Sequence, residues 1–286
     1  MRTTLTVSGL DSRFLYGDVR AGDVEITTAD AAEDRIEVRI TATGDFVPAA
    51  AAAVLERCDG AASLIIPRAQ ENARGRMTTT ITIPADVRTD LTCAGDITAG
   101  RLRDTRLRTT AGNIQISRLA GTSDLVTEDG QVRLGRTAGT TRVYTETGAI
   151  DVRRTSGRTE LNTASGNVRV RRGEGELTVR TATGPIQAGK VSGYVELSSG
   201  SGRIDVHASL PRTLDTRTTS GDVTFRGRYG ATLIHARTDS GHLTFHGVYK
   251  AALIRADNAS GSTAFRGRYL RRLTFLTSGA APVHHD

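Results

Sequence analysis

Apolar and polar residues alternate with period two along most of this chain, and the alternation restarts at regular intervals. Each restart is marked by a glycine in a small/polar-Gly-x-apolar unit. The anchors are Gly95, Gly112, Gly130, Gly148, Gly166, Gly184, Gly202, Gly221, Gly241 and Gly261, with spacings of 17, then 18 five times, then 19, 20 and 20. Counted from each anchor, positions +2 and +4 are apolar, as in Ile114 and Ile116, Val132 and Leu134, Ile150 and Val152, Val168 and Val170. Position −5 is apolar in Leu107, Leu125, Val143, Leu161, Val179 and Leu197; position −3 is small in Thr109, Thr127, Thr145, Thr163, Thr181 and Ser199. Period-two alternation puts one face of a strand in the core and the other in solvent.

One such unit is too short to bury an apolar face alone, but stacking does so by pairing each strand with its counterpart one turn away. The pattern therefore predicts an all-β fold, a single-stranded parallel β-solenoid (β-helix) of about ten 17–20-residue rungs, each rung carrying two strand patches. Nine inter-anchor steps of about 4.8 Å span roughly 43 Å. The anchor glycines are expected to supply φ > 0 at tight corners, and the small −3 residues to let opposing walls approach. Propeller blades need more residues per repeat, a short and near-constant period is foreign to a sandwich, and the Gly-Gly-x-Gly-x-Asp signature of calcium-binding β-rolls is absent. In the last three rungs Phe225, Phe245 and Phe265 take +4, Tyr229, Tyr249 and Tyr269 recur once per rung, and the apolar position moves to −7 (Leu214, Ile234, Ile254), predicting a thicker core.

Residues 1–86 lack the strict period and are expected to form a β-rich N-terminal cap, since a solenoid end exposes an edge. Strands are predicted in RAGDVEIT, RIEVRIT, ASLIIP and MTTTITIPAD, and one helix over residues 49–57 behind Pro48. The solenoid is assigned to residues 87–276, closing with a strand over 273–276, and residues 277–286 to a flexible tail.

Composition bounds the function. Aromatics are 4%, Trp is absent, and the net charge is +7; only Lys190 and Lys250 of the 38 basic residues are lysine. Two cysteines, Cys58 and Cys93, cannot make a disulfide framework or a cysteine-rich zinc site, and each is expected to be a free, half-buried thiol. The longest apolar run, residues 46–55, is too short to span a membrane, and no signal peptide is visible, so the expectation is a cytoplasmic protein, with envelope association left to a partner.

The order of elements now carries a resemblance. An N-terminal section with GDVEIT, an IPAD segment and then serial T/S-x-G-x-I/V-x-V rungs resembles the bacterial β-strand-repeat family of unknown function labelled "putative adhesin", related to the toastrack domains, with the actinobacterial branch nearest. The resemblance runs from about residue 16 to 276. It implies a solenoid and, through the company such domains keep, a link to cell-envelope stress sensing or surface interaction. It brings no catalytic residues.

Candidate chemistry is sparse. His235, His242 and His246 fall at outward positions of adjacent rungs where imidazoles could meet a metal, but a solvated polar face is the reading preferred for them; His284 and His285 lie on the tail, a poor metal site. No nucleophile elbow, phosphate loop, zinc-protease or dinucleotide motif occurs, and no cofactor is expected. A polysaccharide-cleaving acid pair would need clustered carboxylates, whereas outward Asp151 and Asp205 stand three rungs apart. The sharpest feature is basic. Arg101, Arg118, Arg136, Arg154, Arg172 and Lys190 occupy +6 in six consecutive rungs, and Arg153, Arg171, His207, Arg226, His246 and Arg266 occupy +5. Equal offsets stack into ladders, and repeated guanidinium forks suit a polyanion such as nucleic acid, a teichoic-type polymer or lipid headgroups; arginine at a corner also keeps a turn soluble. The sequence thus points to a non-catalytic binding or scaffold protein with a protein partner or anionic polymer and no evident small-molecule substrate. A polyanion binder using the Arg ladder is the first alternative and a polysaccharide-acting β-helix enzyme the second.

Overall fold

The computed structural model describes residues 1–9, 13–29, 35–209, 211–230, 232–250, 253–269, 274–278 and 283–285. The chain forms a parallel β-solenoid of about ten turns. It divides into two compact units, Met1–Tyr144 and Thr145–Asp286.

In the first unit, strands β1 (Arg2–Ser8), β2 (Phe14–Val19), β3 (Asp23–Ala29) and β4 (Arg35–Ala42) precede a 3-10 turn at Gly44–Phe46 and helix α1 (Val47–Ala51). Strands β5 (Val54–Cys58), β6 (Ala61–Ile66), β7 (Met77–Pro84), β8 (Arg88–Cys93), β9 (Ile97–Thr109), β10 (Ile114–Thr127) and β11 (Val132–Thr145) follow. The N-terminal region is more than a lid. β2 pairs parallel with β8, and β3 parallel with β9, so residues 14–29 already run in the direction of the solenoid turns. The antiparallel pairs of this region are β1 with β4, β4 with β7 and β5 with β6.

The helix differs from the sequence expectation. It stops at Ala51, and residues 54–57, read as its second half, lie in strand β5 against β6. Only Ala49 and Ala50 are buried, so the alanine run has no apolar stripe to repay helix nucleation, whereas extension of Val54–Cys58 gives β6 a hydrogen-bonded neighbour.

The second unit continues with β12 (Ile150–Thr163), β13 (Val168–Thr181), β14 (Ile186–Ser199), β15 (Ile204–Ser209), β16 (Pro211–Thr218), β17 (Val223–Tyr229), β18 (Leu233–Thr238), β19 (Leu243–Tyr249), β20 (Leu253–Asn258), β21 (Thr263–Tyr269), β22 (Thr274–Ser278) and β23 (Val283–His285). Ile150, Val168, Ile186 and Ile204 stand in register, each buried, as one internal stack. In the shorter turns of this unit the two predicted patches are one continuous strand of 14 residues, as in β12, β13 and β14, bent without leaving the ladder. In the longer turns the strand splits in two, β15 and β16, then β17 and β18. β22 pairs with β20 and β23 with β21; Leu273 and the side chains of Tyr269, His284 and His285 lie outside the described residues.

The two corners divide their labour differently from the expectation. The anchor glycines have no left-handed backbone; they are glycine because a Cβ at Gly166 would overlap the carbonyl oxygen of Gly148 in the preceding turn, and the same holds at Gly112 against Gly95. Left-handed backbone sits half a turn later, at Gly121 and Gly139 in the first unit and Gly157, Gly175 and Gly193 in the second. The −3 residue is a cap rather than a spacer. The Gly166 amide donates to Thr163 Oγ1 at 3.0 Å, and that hydroxyl donates to the Glu146 carbonyl at 3.3 Å. Thr109, Ser199, Thr218 and Thr238 repeat this arrangement, and Asn258 does so with its amide. Each buried hydroxyl thus accepts from the anchor amide and donates to a carbonyl of the preceding turn, adding to the backbone bonds that join the corners.

Candidate functional site

Both +5 and +6 point outward because the next inward side chain is at +7: Leu102, Leu119, Thr137, Thr155 and Val191 are buried there. Two successive outward positions mark a local break in the pleat, where ladders skip a pair. In β12 and β13 the register runs Val152 to Val170 and resumes at Thr155 to Gly173, with Arg153 and Arg154 in between. The chain's bend therefore presents the basic side chains on a convex corner.

Every cation of the +6 column is exposed. In the first unit Arg101 and Arg118 lie in register, with Arg136 exposed one turn on. In the second unit Arg172 and Lys190 lie in register, and Arg154 donates to Glu174 at 3.0 Å. Among the described residues, Arg101, Arg118, Arg136, Arg172 and Lys190 make no ion pair. At +5, Arg171 reaches Asp151 at 3.2 Å, and His207, Arg226, His246 and Arg266 form an exposed row in register.

Another outer wall of the same turns is compensated. Arg180 sits between Glu160 at 3.6 Å and Glu196 at 3.0 Å. Arg255 pairs with Asp257 at 3.0 Å and Arg237 with Asp239 at 3.6 Å. In the first unit Arg106 lies 3.4 Å from Asp124 and 3.9 Å from Asp90. Along that wall arginines sit against carboxylates of neighbouring turns, whereas in the +6 column, among the described residues, only Arg154 does.

The other candidates separate. His235 is half-buried between Asp257, 3.0 Å from Nε2, and Asp215, 3.7 Å from Nδ1. His242 lies 2.7 Å from Ser262 Oγ through Nδ1, and its amide donates to Asp222 Oδ1 at 2.8 Å. This repeats the side-chain ladder in which the Asn113 amide donates to Asp96 and the Gln131 amide to Asn113, so His242 and Ser262 serve the turn. Among the described residues no group of three or more His, Cys, Asp or Glu gathers to hold a metal. Cys58 is exposed and Cys93 buried, so neither is half-buried as expected. Burial pushes the Cys93 thiol up to about 11, and its Sγ donates to the Gly22 carbonyl. Asp151 and Asp205 share a column with Arg169 and Gln187 between them, three inter-strand steps or roughly 14 Å apart, beyond the ~9.5 Å limit for a glycosidase acid pair. They pair instead with Arg171 and Arg203.

With this geometry in place, comparison with known proteins fixes the family. Residues 66–226 match the family described as Toastrack DUF4097. The chain belongs to it. As a Toastrack chain it is also similar to solved structures of low identity. One is a "putative adhesin" from Parabacteroides distasonis, 15% identical, with 99% of this chain and 97% of that one covered and a TM-score of 0.29. A "putative lipid binding protein" from the same organism is 11% identical, with the same coverages and a TM-score of 0.34. A "putative cell adhesion protein" from Clostridium sporogenes is 9% identical, covering 94% and 99%, at a TM-score of 0.27. No curated protein matches. The Toastrack domain is one of unknown function, so the family supplies the architecture and leaves the corner to be read from its own chemistry. Among the described residues no helix is long and apolar enough to cross a membrane.

The family match and the basic offsets were both legible in the repeat. The pairing pattern was not: Arg154 with Glu174, and Arg180 with Glu160, are separated by one turn plus two positions, a spacing that follows only from the diagonal neighbours of a parallel ladder.

Proposed function

We propose that this Toastrack chain is a non-catalytic binding scaffold whose contact surface is the basic corner, and that the corner engages a polyanion. The observation that carries this reading is the contrast in charge: five of the six +6 cations make no ion pair among the described residues, while the wall bearing Arg180 is laced with carboxylates. A corner needing arginine only for solubility has no reason to differ from its neighbouring wall in sign. Unneutralised guanidiniums at regular spacing instead favour a ligand that brings its own regular negative charge.

The test is salt dependence. Each neutralised phosphate on duplex DNA contributes about 0.9 to the log–log slope, so four to six contacts predict a slope near −4 to −5 with DNA as probe, and heparin should fall off comparably. Replacing Arg154, Arg172 and Lys190 of one unit by Gln should flatten the DNA slope by about three and weaken binding sharply. Stability should change by no more than about 0.5 kcal/mol per site. A triple variant that binds like the parent would reduce the corner to a solvated bend.

A further inference from the structure

The spacing of the corner cations narrows the kind of polyanion, an inference that rests on the polyanion reading above. In the unit Thr145–Asp286, six successive turns each place a basic group at +5 or +6: Arg154, Arg172, Lys190, His207, Arg226 and His246. Register fixes the step, since Arg172 pairs with Lys190, and His207 with Arg226 and then His246. One basic side chain therefore recurs per inter-strand spacing of about 4.8 Å, stepping from the +6 to the +5 column between Lys190 and His207, and five steps cover roughly 24 Å. Within it Arg154 also meets Glu174. A linear ligand that follows this row without strain must repeat its charge at about the same interval.

Common polyanions differ in this interval. Duplex DNA carries one charge per ~1.7 Å of axis, nearly three times denser than the row, on backbones that wind away from a straight line. An extended acidic peptide advances about 3.4 Å per carboxylate with sides alternating, and is out of step within two or three contacts. Single-stranded nucleic acid gains much of its affinity from stacking on aromatic side chains, and the exposed tyrosines among the described residues, Tyr16, Tyr144 and Tyr194, all lie off the +3, +5 and +6 columns. A 1,4-linked polyuronate carries one carboxylate per sugar and advances by one ring length per charge, which is close to one turn of this solenoid.

The chemistry beside the row agrees. A carboxylate matches the two parallel N–H groups of a guanidinium. Where a turn carries cations at both +5 and +6, as Arg153 with Arg154 and Arg171 with Arg172, arms leave the corner on adjacent columns and can meet carboxylates that alternate sides. The +3 column alongside offers Gln187 and Thr244, uncharged groups suited to sugar hydroxyls, with Asp205 between them held by Arg203. We propose that the corner of this unit binds an acidic polysaccharide bearing one carboxylate per sugar.

The experiment measures binding of the full chain, at one fixed salt concentration, to oligogalacturonates of increasing length, to their methyl esters, to heparin and to single-stranded and duplex DNA. The expected result is oligogalacturonate affinity that rises with length and levels off near six sugars, one per basic side chain, with the methyl esters at least about tenfold weaker. Arg172→Gln, Lys190→Gln and Arg226→Gln together should weaken oligogalacturonate at least about tenfold at an unchanged melting temperature, because the three are solvent-exposed. If heparin or DNA binds and oligogalacturonate does not, the one-carboxylate-per-sugar class is overturned and the polyanion reading stands; if the methyl esters bind as well as the acid, the corner does not read charge and both fall. If none of the polyanions binds, both fall.

Discussion

Two kinds of turn occur within the unit Thr145–Asp286, and they solve the same packing problem differently. The narrow turns β12, β13 and β14 are filled by aliphatic side chains and threonine, with Val152, Val170 and Ala188 at +4. The longer turns carry Phe225, Phe245 and Phe265 at that position and tyrosine at +8. The added length widens the interior, and rings stacked from turn to turn occupy it, with centroids 4.8 Å apart for Phe225 and Phe245 and 4.9 Å for Tyr229 and Tyr249. The closing corner is the same in both kinds: Thr163 and Thr238 each accept from their own anchor amide and donate to the anchor carbonyl of the preceding turn, Gly148 and Gly221. A solenoid can therefore change its bore at one corner while keeping the other fixed, and the surface columns shift with it. Where the bore widens, +6 becomes Gly227 and Gly247, and the basic residues move to +5.

The largest effect expected from this contrast is at +4. Phe245→Ala should cost about 3–5 kcal/mol, because the ring stacks against neighbours on both sides and leaves a cavity that two adjacent turns cannot collapse. Val170→Ala, at the equivalent position of a narrow turn, should cost about 2 kcal/mol. Urea denaturation of the two variants measures the difference; equal losses would show that the wide turns are no more dependent on their filling than the narrow ones.

A smaller effect tests what the turns share. Thr163→Val keeps shape but leaves the Gly166 amide without its acceptor, so it should cost about 1–3 kcal/mol. Thr238→Val should match it, since the Gly241 amide depends on Thr238 in the same way. Thr163→Ser should recover most of the loss. A threonine that mattered only for its size would show no loss in either Val variant and none of this rescue.

The repeat was legible because a solenoid writes its register into the sequence: equal offsets become neighbours, so Ile150, Val168, Ile186 and Ile204 could be stacked from spacing alone. What spacing could not supply was the reason for a residue type. Threonine at −3 and glycine at the anchor look like a small-residue seam, yet one is there for its hydroxyl and the other for a carbonyl in the preceding turn. The second glycine, half a turn on, was visible in the sequence at Gly157, Gly175 and Gly193, but its left-handed backbone follows from the bend and not from any local motif. The basic columns were legible as columns. Their lack of compensation was not, because it depends on which diagonal neighbours reach each arginine, and those belong to other turns.

The smallest expected effect separates the two tyrosines of the wide turns, and it differs in sign. Tyr229 donates its hydroxyl to the Val206 carbonyl at 3.4 Å, whereas the Tyr249 hydroxyl is buried with no partner among the described residues. Tyr249→Phe removes a desolvated polar atom and keeps the ring stack, so it should raise stability by up to about 1 kcal/mol, while Tyr229→Phe should lower it by about 0.5–1.5 kcal/mol. The same burial, with the Tyr229 hydroxyl close by, pushes ionisation of Tyr249 well above the ordinary phenol range. The folded state then holds the Tyr249 proton, while the unfolded chain releases it from about pH 10 upward. Folding stability from this group is therefore complete below about pH 10 and declines as pH rises further, because the native state binds more protons than the unfolded one. Denaturation curves at pH 8 and pH 11 should show a smaller alkaline loss in Tyr249→Phe than in the parent. A Tyr249→Phe variant that is less stable at pH 8 would mean that its hydroxyl has found a partner after all, and the wide turns would then be stabilised by both phenols and not by the stacked rings alone.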